Sequence, residues 1–302
     1  MSNHHDDLTF VQKSSSREAG HSIGIDVNGI AYSICHNPKL CDNELGQLGR
    51  SGNAIACLPI TLHDGNISSA AYSYTGGFAS SGHSAILDSR GYLWVTGCDR
   101  WQQLGLGSSD GGSSGYTWKG GRLWQIEFQK NEYVVNLLKK LDPSLGDTNV
   151  EMHNPKRWIR DVALGGDHTL VLSSNRKDVI SFGKGGEGQL GLSSKPWVSS
   201  PAKSKVLSSS TPDIAAVCAF RYCSFTLSEE GNIRQHAGKC SFEAKGLQKA
   251  LELCRRRAIS DGLVKTIMEG NQIRNTSSHT SLLLGARYAS FLLASDIICL
   301  NL

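Results

Sequence analysis

The chain has 302 residues, nine cysteines, 33 glycines and a formal net charge of +4 at pH 7. This length allows a large buried core, and so mild a charge argues against the strongly basic stripe of a dedicated nucleic-acid-binding protein. The cysteines are odd in number and form no Cys-x-x-Cys pair, which indicates an intracellular chain with reduced thiols. Residues 1–9 are polar and predict a disordered tail rather than a secretory signal, and no uncharged apolar run has the length of a membrane helix.

One phrase then recurs along the chain, opening with Gly and His and closing with Gln-Leu-Gly. Between the two ends lie an alternating apolar strand, a turn and a second strand, a pattern that predicts a β-hairpin. A fourth copy has Cys223 in the His position, and a fifth, which depends on spacing alone, has Ala289 there. Self-similarity at this period predicts an array of like units. The repeated residues are Gly20, His21 and Gly49 in the first copy, Gly82, His83 and Gly105 in the second, and Gly166, His168 and Gly191 in the third.

These repeated residues suit a structural role. Gly adopts positive φ at tight turns, and the Leu of each closing phrase, Leu48, Leu104 or Leu190, is expected to point inward. The His stands at the same point of three units, whereas a catalytic His is usually needed once. We therefore expect each His to make a hydrogen bond to the neighbouring repeat.

The phrase resembles the repeats of the regulator of chromosome condensation family. The clearest match is Gly-x-x-His-Thr-Leu-x-Leu at 165–172, followed by Gly-x-Gly-Gln-Leu-Gly at 186–191. The resemblance implies an all-β fold, a β-propeller in which each unit of roughly fifty to sixty residues forms a four-stranded blade. The domain is expected over 10–302, as four to five blades or as a partial, open ring with one or two short helices in insertions. The expected repeats are about 10–77, 78–157, 158–212, 213–278 and a partial unit at 279–302.

Two places depart from the plain repeat. The insertion 108–155 combines a Gly/Ser loop, an aromatic and basic strand and a short helix near 133–141; either it carries function or it is a decoration of the outer edge. The insertion 243–259 predicts a second helix on the propeller rim, with a partner helix or a nuclear address as alternatives, and its Arg255–Arg257 run is expected to face solvent. The candidate partner-binding residues are Arg100, Trp101, Tyr116, Trp118 and Arg122.

The sequence carries no catalytic motif. The Gly-x-Gly-x-x-Gly at 183–188 follows a strand but leads into the repeat's own turn instead of the helix that would hold a pyrophosphate. No catalytic, cofactor-binding or metal-binding residue is therefore expected. A non-enzymatic scaffold that binds a protein partner through face loops is the favoured function. The resemblance implies an alternative, nucleotide exchange on a small GTPase such as Ran. The charge does not favour nucleic acid or chromatin, no membrane contact is expected, and cytoplasm and nucleus both remain open.

Overall fold

The structure is a computed structural model that describes residues 9–41, 46–50, 54–62, 70–77, 82–107, 124–145, 155–192, 197–240 and 245–264. Its strands form four antiparallel sheets in chain order. The first three sheets have four strands each, and the fourth has three among the described residues. The elements are β1 (Phe10–Ser16), β2 (His21–Asp26), β3 (Ala31–Cys35), β4 (Leu58–Pro59), β5 (Ala70–Gly76), β6 (His83–Asp88), β7 (Leu93–Cys98), β8 (Trp124–Lys130), α1 (Glu132–Leu141), β9 (Ile159–Leu164), β10 (His168–Ser173), β11 (Val179–Lys184), β12 (Trp197–Lys203), β13 (Ala216–Phe220), β14 (Cys223–Leu227), β15 (Ile233–Gly238) and α2 (Lys245–Ser260).

Each sheet is a meander of sequential neighbours, and the sheets pack face to face as the blades of a propeller, which confirms the predicted fold. The first strands of successive blades contact one another, with β1 against β5, β5 against β9 and β9 against β13. These strands therefore line the inner side of the array. An ion pair joins Glu18, in the turn between β1 and β2 of the first blade, to Arg221, in the turn between β13 and β14 of the fourth blade.

The hairpin turns between the second and third strands show why the sequence folds this way locally. In the first two blades an Asp ends the second strand, and its carboxylate accepts two backbone N–H groups of the turn, as Asp26 does from Asn28 and Ile30. The third blade has no Gly in its turn, and Arg176 adopts the left-handed region there with φ of 63°. The turn thus keeps its shape without glycine, at a conformational cost of roughly 1–2 kcal/mol.

Apolar side chains from facing sheets fill the space between successive blades. Between the first and second blades, for example, Ile23 packs with Ile86 and Trp94, all buried. Burying each such side chain contributes roughly 1.5–3 kcal/mol, so these interfaces stabilise the packing of one blade on the next. The corresponding side chains are Leu87, Val95, Val171 and Phe182 between the second and third blades, and Leu170, Leu172, Val217 and Ala237 between the third and fourth.

The first helix, α1, follows the outer strand of the second blade, close to its predicted position. The side chain of Asn131 caps it by accepting a hydrogen bond from the backbone N–H of Val134, and also donates to the carbonyl of Leu104. Val135 and Leu138 are buried in the core between the second and third blades. This part of the insertion is therefore built into the core. Residues 108–123 and 146–154 of the insertion lie outside the described residues.

The second helix, α2, does not lie on the rim, where the sequence predicted it. It covers the outer face of the fourth blade, the face turned away from the third, and buries Leu251 and Ala258 against Phe225. The expectation that the Arg255–Arg257 run faces solvent was also wrong, because Arg257 reaches the inner strand β9 and pairs with the buried carboxylate of Asp161. The partial repeat predicted at 279–302 lies outside the described residues.

Candidate protein-binding face

The repeated histidines lie at the junctions between blades. His21 of the first blade meets the hydroxyl of Ser84 in the second at 2.8 Å, and His168 of the third meets Ser224 of the fourth at the same distance. Between the second and third blades, His83 lies 3.3 Å from the hydroxyl of Thr169. Each His begins the second strand of its blade, and it meets the second residue of the corresponding strand in the next blade, which is Ser84, Thr169 or Ser224.

The protonation of these histidines follows from their partners. The hydroxyl of Ser84 donates to the carbonyl of Gln47 at 2.8 Å, so it accepts from His21, whose Nε2 must carry the proton. Desolvation by burial lowers the pKa of His21 and of His168 to about 3. Both rings are therefore neutral at physiological pH, and the His21 ring serves as a hydrogen-bond donor to the next blade.

The closing Gln-Leu-Gly turns complete the same junctions. The carbonyl of Gln103 accepts from the hydroxyl of Thr169, as that of Gln47 does from Ser84, so one hydroxyl bonds the His and the closing turn of the blade before it. The closing Gly105 has φ of 62°, and a Cβ there would lie 2.6 Å from the ring of Phe182 in the next blade. The turn thus requires glycine for its backbone and for the approach of the neighbouring ring.

These turns form one end of the propeller, which we call the closing-turn face. It comprises the turns before each repeated His and the turns after each third strand, including residues 17–20, 99–105, 165–167, 185–191, 221–222 and 239–240. The hairpin turns lie at the opposite end of the same strands. Loops on a rigid scaffold of this kind are common places for binding.

A lysine held between two aromatic rings lies on the closing-turn face. The Nζ atom of Lys184, at the end of β11, lies 4.7 Å from the centroid of the Trp101 ring and 5.2 Å from that of Tyr222. The same Nζ lies 3.7 Å from a carboxylate oxygen of Asp167. Trp101, Lys184 and Tyr222 come from the second, third and fourth blades, so this aromatic–lysine cluster exists only because the three blades are assembled.

Further charged side chains surround the aromatic–lysine cluster. Arg221 is about half exposed and pairs with Glu18 at 2.8 Å. Lys239 pairs with Glu187 at 2.5 Å, and its proximity lowers the pKa of Glu187. Among the described residues, no group of three or more His, Cys, Asp or Glu side chains is placed to hold a metal ion. The face offers cations, carboxylates and aromatic rings, which suit recognition of a polar surface by hydrogen bonds, ion pairs and stacking.

The structure describes two of the five candidate partner-binding residues. Arg100 is exposed and Trp101 half-buried on the closing-turn face, whereas Tyr116, Trp118 and Arg122 lie outside the described residues. Sequence reasoning missed Lys184, Tyr222 and Arg221. Their positions in the repeat could have identified them. Arg221 and Tyr222 directly precede the His position of the fourth copy, and Lys184 ends the third strand of the third copy.

Comparison with known proteins found relatives that share these features. The chain is 30% identical over 219 residues to a zebrafish (Danio rerio) protein named RCC2 homolog, a match that covers 70% of this chain and 39% of the relative. It is 28% identical to the RCC2 homolog of Xenopus laevis over 74% of this chain and 39% of that protein. The chain thus spans less than half the length of the curated relatives that it matches. No family model matches the sequence.

Solved structures with the same fold include two of the Saccharomyces cerevisiae protein Prp20. One is described as Kap60 bound to yeast RCC1 (Prp20); it has a TM-score of 0.50, 19% identity, and covers 76% of this chain and 44% of that chain. The other is described with the binding properties of Prp20p to Gsp1p and histones, and has a TM-score of 0.51, 18% identity, and coverage of 76% and 46%. At these identities the likeness shows the fold.

Proposed function

The chain belongs to the regulator of chromosome condensation family of repeat proteins, and from that premise we propose that it is a non-enzymatic scaffold that binds a protein partner through its closing-turn face. The observation that carries this proposal is the aromatic–lysine cluster, in which Trp101, Lys184 and Tyr222 come together from three blades. Aromatic and cationic side chains at the centre of a surface are the residue types that most often dominate the energy of protein association.

The surroundings of the cluster support a polar partner. Three cations of the closing-turn face, Lys184, Arg221 and Lys239, are each paired with a carboxylate of the chain itself. The cations of two of these pairs, Arg221 and Lys239, are exposed, and such pairs contribute little to stability, so a partner can exchange them for its own charges at small cost. Exposed Arg100 adds a cation beside Trp101. We therefore expect a partner surface that presents carboxylates together with apolar or aromatic groups.

A binding measurement tests the proposal. Partners captured from a cell extract by the wild-type chain are identified and purified, and their affinities are measured for wild type, Trp101→Ala and Lys184→Ala. Loss of a central aromatic anchor is expected to weaken binding by about 2 kcal/mol, or roughly 30-fold in Kd. The matched control is Val27→Ala, an exposed side chain in a hairpin turn at the opposite end of the blades.

Equal binding by wild type and by both face variants would contradict the placement of the site. Failure to recover any stable partner, together with a robust turnover activity, would contradict the scaffold function itself. The control must bind as wild type does, since otherwise the losses reflect a general defect.

A second candidate is guanine-nucleotide exchange on a small GTPase of the Ran type. It is favoured by the fold shared with yeast Prp20p, which is described as binding Gsp1p. The test is release of a fluorescent GDP analogue from a purified Ran-type GTPase in the presence of the chain. We expect stimulation that Trp101→Ala reduces and Val27→Ala leaves intact. If micromolar concentrations of the chain do not stimulate release of the GDP analogue, this candidate is removed and the scaffold proposal stands.

The proposed setting is intracellular, in the cytoplasm or the nucleus. No disulfide joins the cysteines within the described ranges, which suits a reducing compartment. Neither described helix has the length and apolar content that crossing a membrane requires. Fluorescence imaging of the tagged chain, with and without Arg255 and Arg256 changed to glutamine, distinguishes the two compartments; Arg257 is kept because it pairs with buried Asp161.

A further inference from the structure

Positively charged side chains converge on one pair of aromatic rings at the hairpin-turn end of the second and third blades. The rings of Tyr92 and Trp158 lie with their centroids 4.8 Å apart. The Nζ atom of Lys130 lies 3.7 Å from the centroid of the Tyr92 ring, and the guanidinium carbon of Arg90 lies 5.6 Å from it. Two cations therefore share the Tyr92 ring.

The Trp158 ring is contacted by two further cations. The Nζ atom of Lys139 lies 5.2 Å from its centroid, and the guanidinium carbon of Arg157 lies 4.8 Å from it. Four cations thus surround one pair of rings. We call this set the basic–aromatic cluster, and its members are Arg90, Tyr92, Lys130, Lys139, Arg157 and Trp158.

Both blades and the helix α1 contribute to the basic–aromatic cluster. Its cations come from the hairpin turn between β6 and β7, the end of β8, the last turn of α1 and the segment before β9. Lys139 lies four residues after Val135, which is buried in the core that contains Trp158. The described helix of the insertion therefore brings a cation to the place where two blades meet.

The neighbouring carboxylates are engaged in turns. Asp88 accepts from the backbone N–H groups of Arg90 and Tyr92, and one of its oxygens lies 3.9 Å from the Arg90 guanidinium. Asp142, the C-cap of α1, accepts from the side-chain amide of Asn175 in the third blade. The members of the cluster include four cations and no carboxylate. Like charges held close together repel one another, so the arrangement is complementary to an anionic ligand.

We propose that the basic–aromatic cluster binds an acidic segment of a protein partner. All four cations are partly exposed, and the rings hold their charged groups in place. The arginines present paired N–H donors that match a carboxylate, and the lysines add point charges. A segment with several Asp or Glu residues therefore meets several cations at once. The cluster lies at the opposite end of the blades from the closing-turn face, so the chain can hold two partners at the same time.

Nucleic acid is the less suitable ligand for this cluster. Trp158 is only 2% exposed, and Tyr92 is half-buried and contacted by two cations, so neither ring is open to stacking by a base. The cations converge at one place instead of forming the stripe that follows a phosphate backbone, and the net charge of the chain is only +4.

Binding of a labelled acidic peptide tests the proposal. The probe is a fluorescein-labelled oligoglutamate peptide, its binding to the purified full-length chain is followed by fluorescence anisotropy, and an oligoglutamine peptide of the same length is the neutral reference. We expect oligoglutamate alone to bind, with an affinity that falls as NaCl is added. Arg90→Gln combined with Lys139→Gln should weaken this binding about tenfold or more, since two charged donors are lost.

The matched control removes the same charge elsewhere. Lys205→Gln combined with Lys249→Gln changes two exposed lysines outside the cluster and should bind oligoglutamate within about twofold of wild type. Trp101→Ala should also bind it as wild type does, so this test is independent of the proposal for the closing-turn face. Hydrogen exchange of the wild-type chain locates the peptide without any substitution, and we expect protection within residues 88–92 and 130–141.

Three results would overturn the proposal. The first is equal affinity of wild type and the Arg90/Lys139 double variant, or no binding of oligoglutamate by wild type. The second is protection by the peptide that is confined to the closing-turn face. The third is tighter binding of an oligouridylate of the same length than of oligoglutamate, lost in the double variant, which would assign the cluster to nucleic acid.

Discussion

The outer faces of the first and fourth blades, the two ends of the series, differ in polarity and in what covers them. The outer face of the fourth blade is apolar and is covered by α2, with Arg257 anchored to Asp161. The outer face of the first blade is covered by neither described helix, and its side chains are half-exposed aromatics and polar groups, among them Phe10 and Tyr32, whose ring centroids lie 5.9 Å apart. An apolar blade face needs a cover, and a polar face can meet water directly.

The hydrogen bonds of the repeated positions also differ between the terminal blades and the junctions between blades. Ser22 of the first blade occupies the position at which Ser84, Thr169 and Ser224 each receive a histidine from the blade before. The Ser22 hydroxyl instead contacts Ser15 and His36 of its own sheet. At the other end Cys223 stands where the other blades have His, and its thiol donates to the carbonyl of Lys239 within its own blade. The Ser22 hydroxyl and the Cys223 thiol thus find partners within their own blades, whereas the repeated histidines connect one blade to the next.

The largest effect is expected from Arg257→Met, which removes the anchor of the covered end. Asp161 is fully buried, and without its partner the carboxylate is left uncompensated, so the free energy of unfolding should fall by about 3–5 kcal/mol. Urea denaturation at pH 7 measures the change. Arg256→Met is the control, because Arg256 pairs with Glu252 at the surface and should cost no more than about 0.5 kcal/mol. Equal losses for the two variants would show that Arg257 does not anchor α2.

The inner junctions should make the protein sensitive to acid. In the folded chain the pKa of His21 and of His168 is about 3, against about 6.5 when unfolded, so below pH 6.5 the unfolded chain binds protons that the folded chain does not. Stability therefore falls with decreasing pH between about 6.5 and 3, by up to roughly 1.4 kcal/mol per pH unit for each histidine.

Denaturation from pH 7 to pH 4 measures that slope. His168→Asn should lower stability at pH 7 and flatten the pH dependence. His36→Asn in the first blade should change the slope less, because His36 is exposed and desolvation lowers its pKa to a smaller extent than it lowers the pKa of His168. An identical slope in His168→Asn and wild type would mean that the junction histidine is already protonated in the folded chain.

The repeated phrase predicted the propeller because its requirements are local. A His at the start of a strand, a Gly in a turn and a Leu that points inward recur in each unit, and each can be recognised within a few residues. The Arg257–Asp161 pair could not be predicted, since its members are 96 residues apart and neither belongs to the phrase. The aromatic–lysine cluster could not be predicted either, because Trp101, Lys184 and Tyr222 become neighbours only after three blades have packed. The sequence therefore predicted the units better than the surface that the assembled units form.

The smallest expected effect concerns two equivalent hydroxyls, one at a junction between blades and one on the outer face of the first blade. Ser84→Ala removes the acceptor of the buried His21 N–H and should cost about 1–3 kcal/mol, since a buried donor is left unsatisfied. Ser22→Ala removes a hydroxyl whose partners, Ser15 and His36, are exposed and can turn to water, so its cost should stay within about 0.5 kcal/mol. Chemical denaturation of the two variants at pH 7 gives the comparison. A loss at Ser22 as large as that at Ser84 would indicate that the first blade, too, has a neighbour on its outer face.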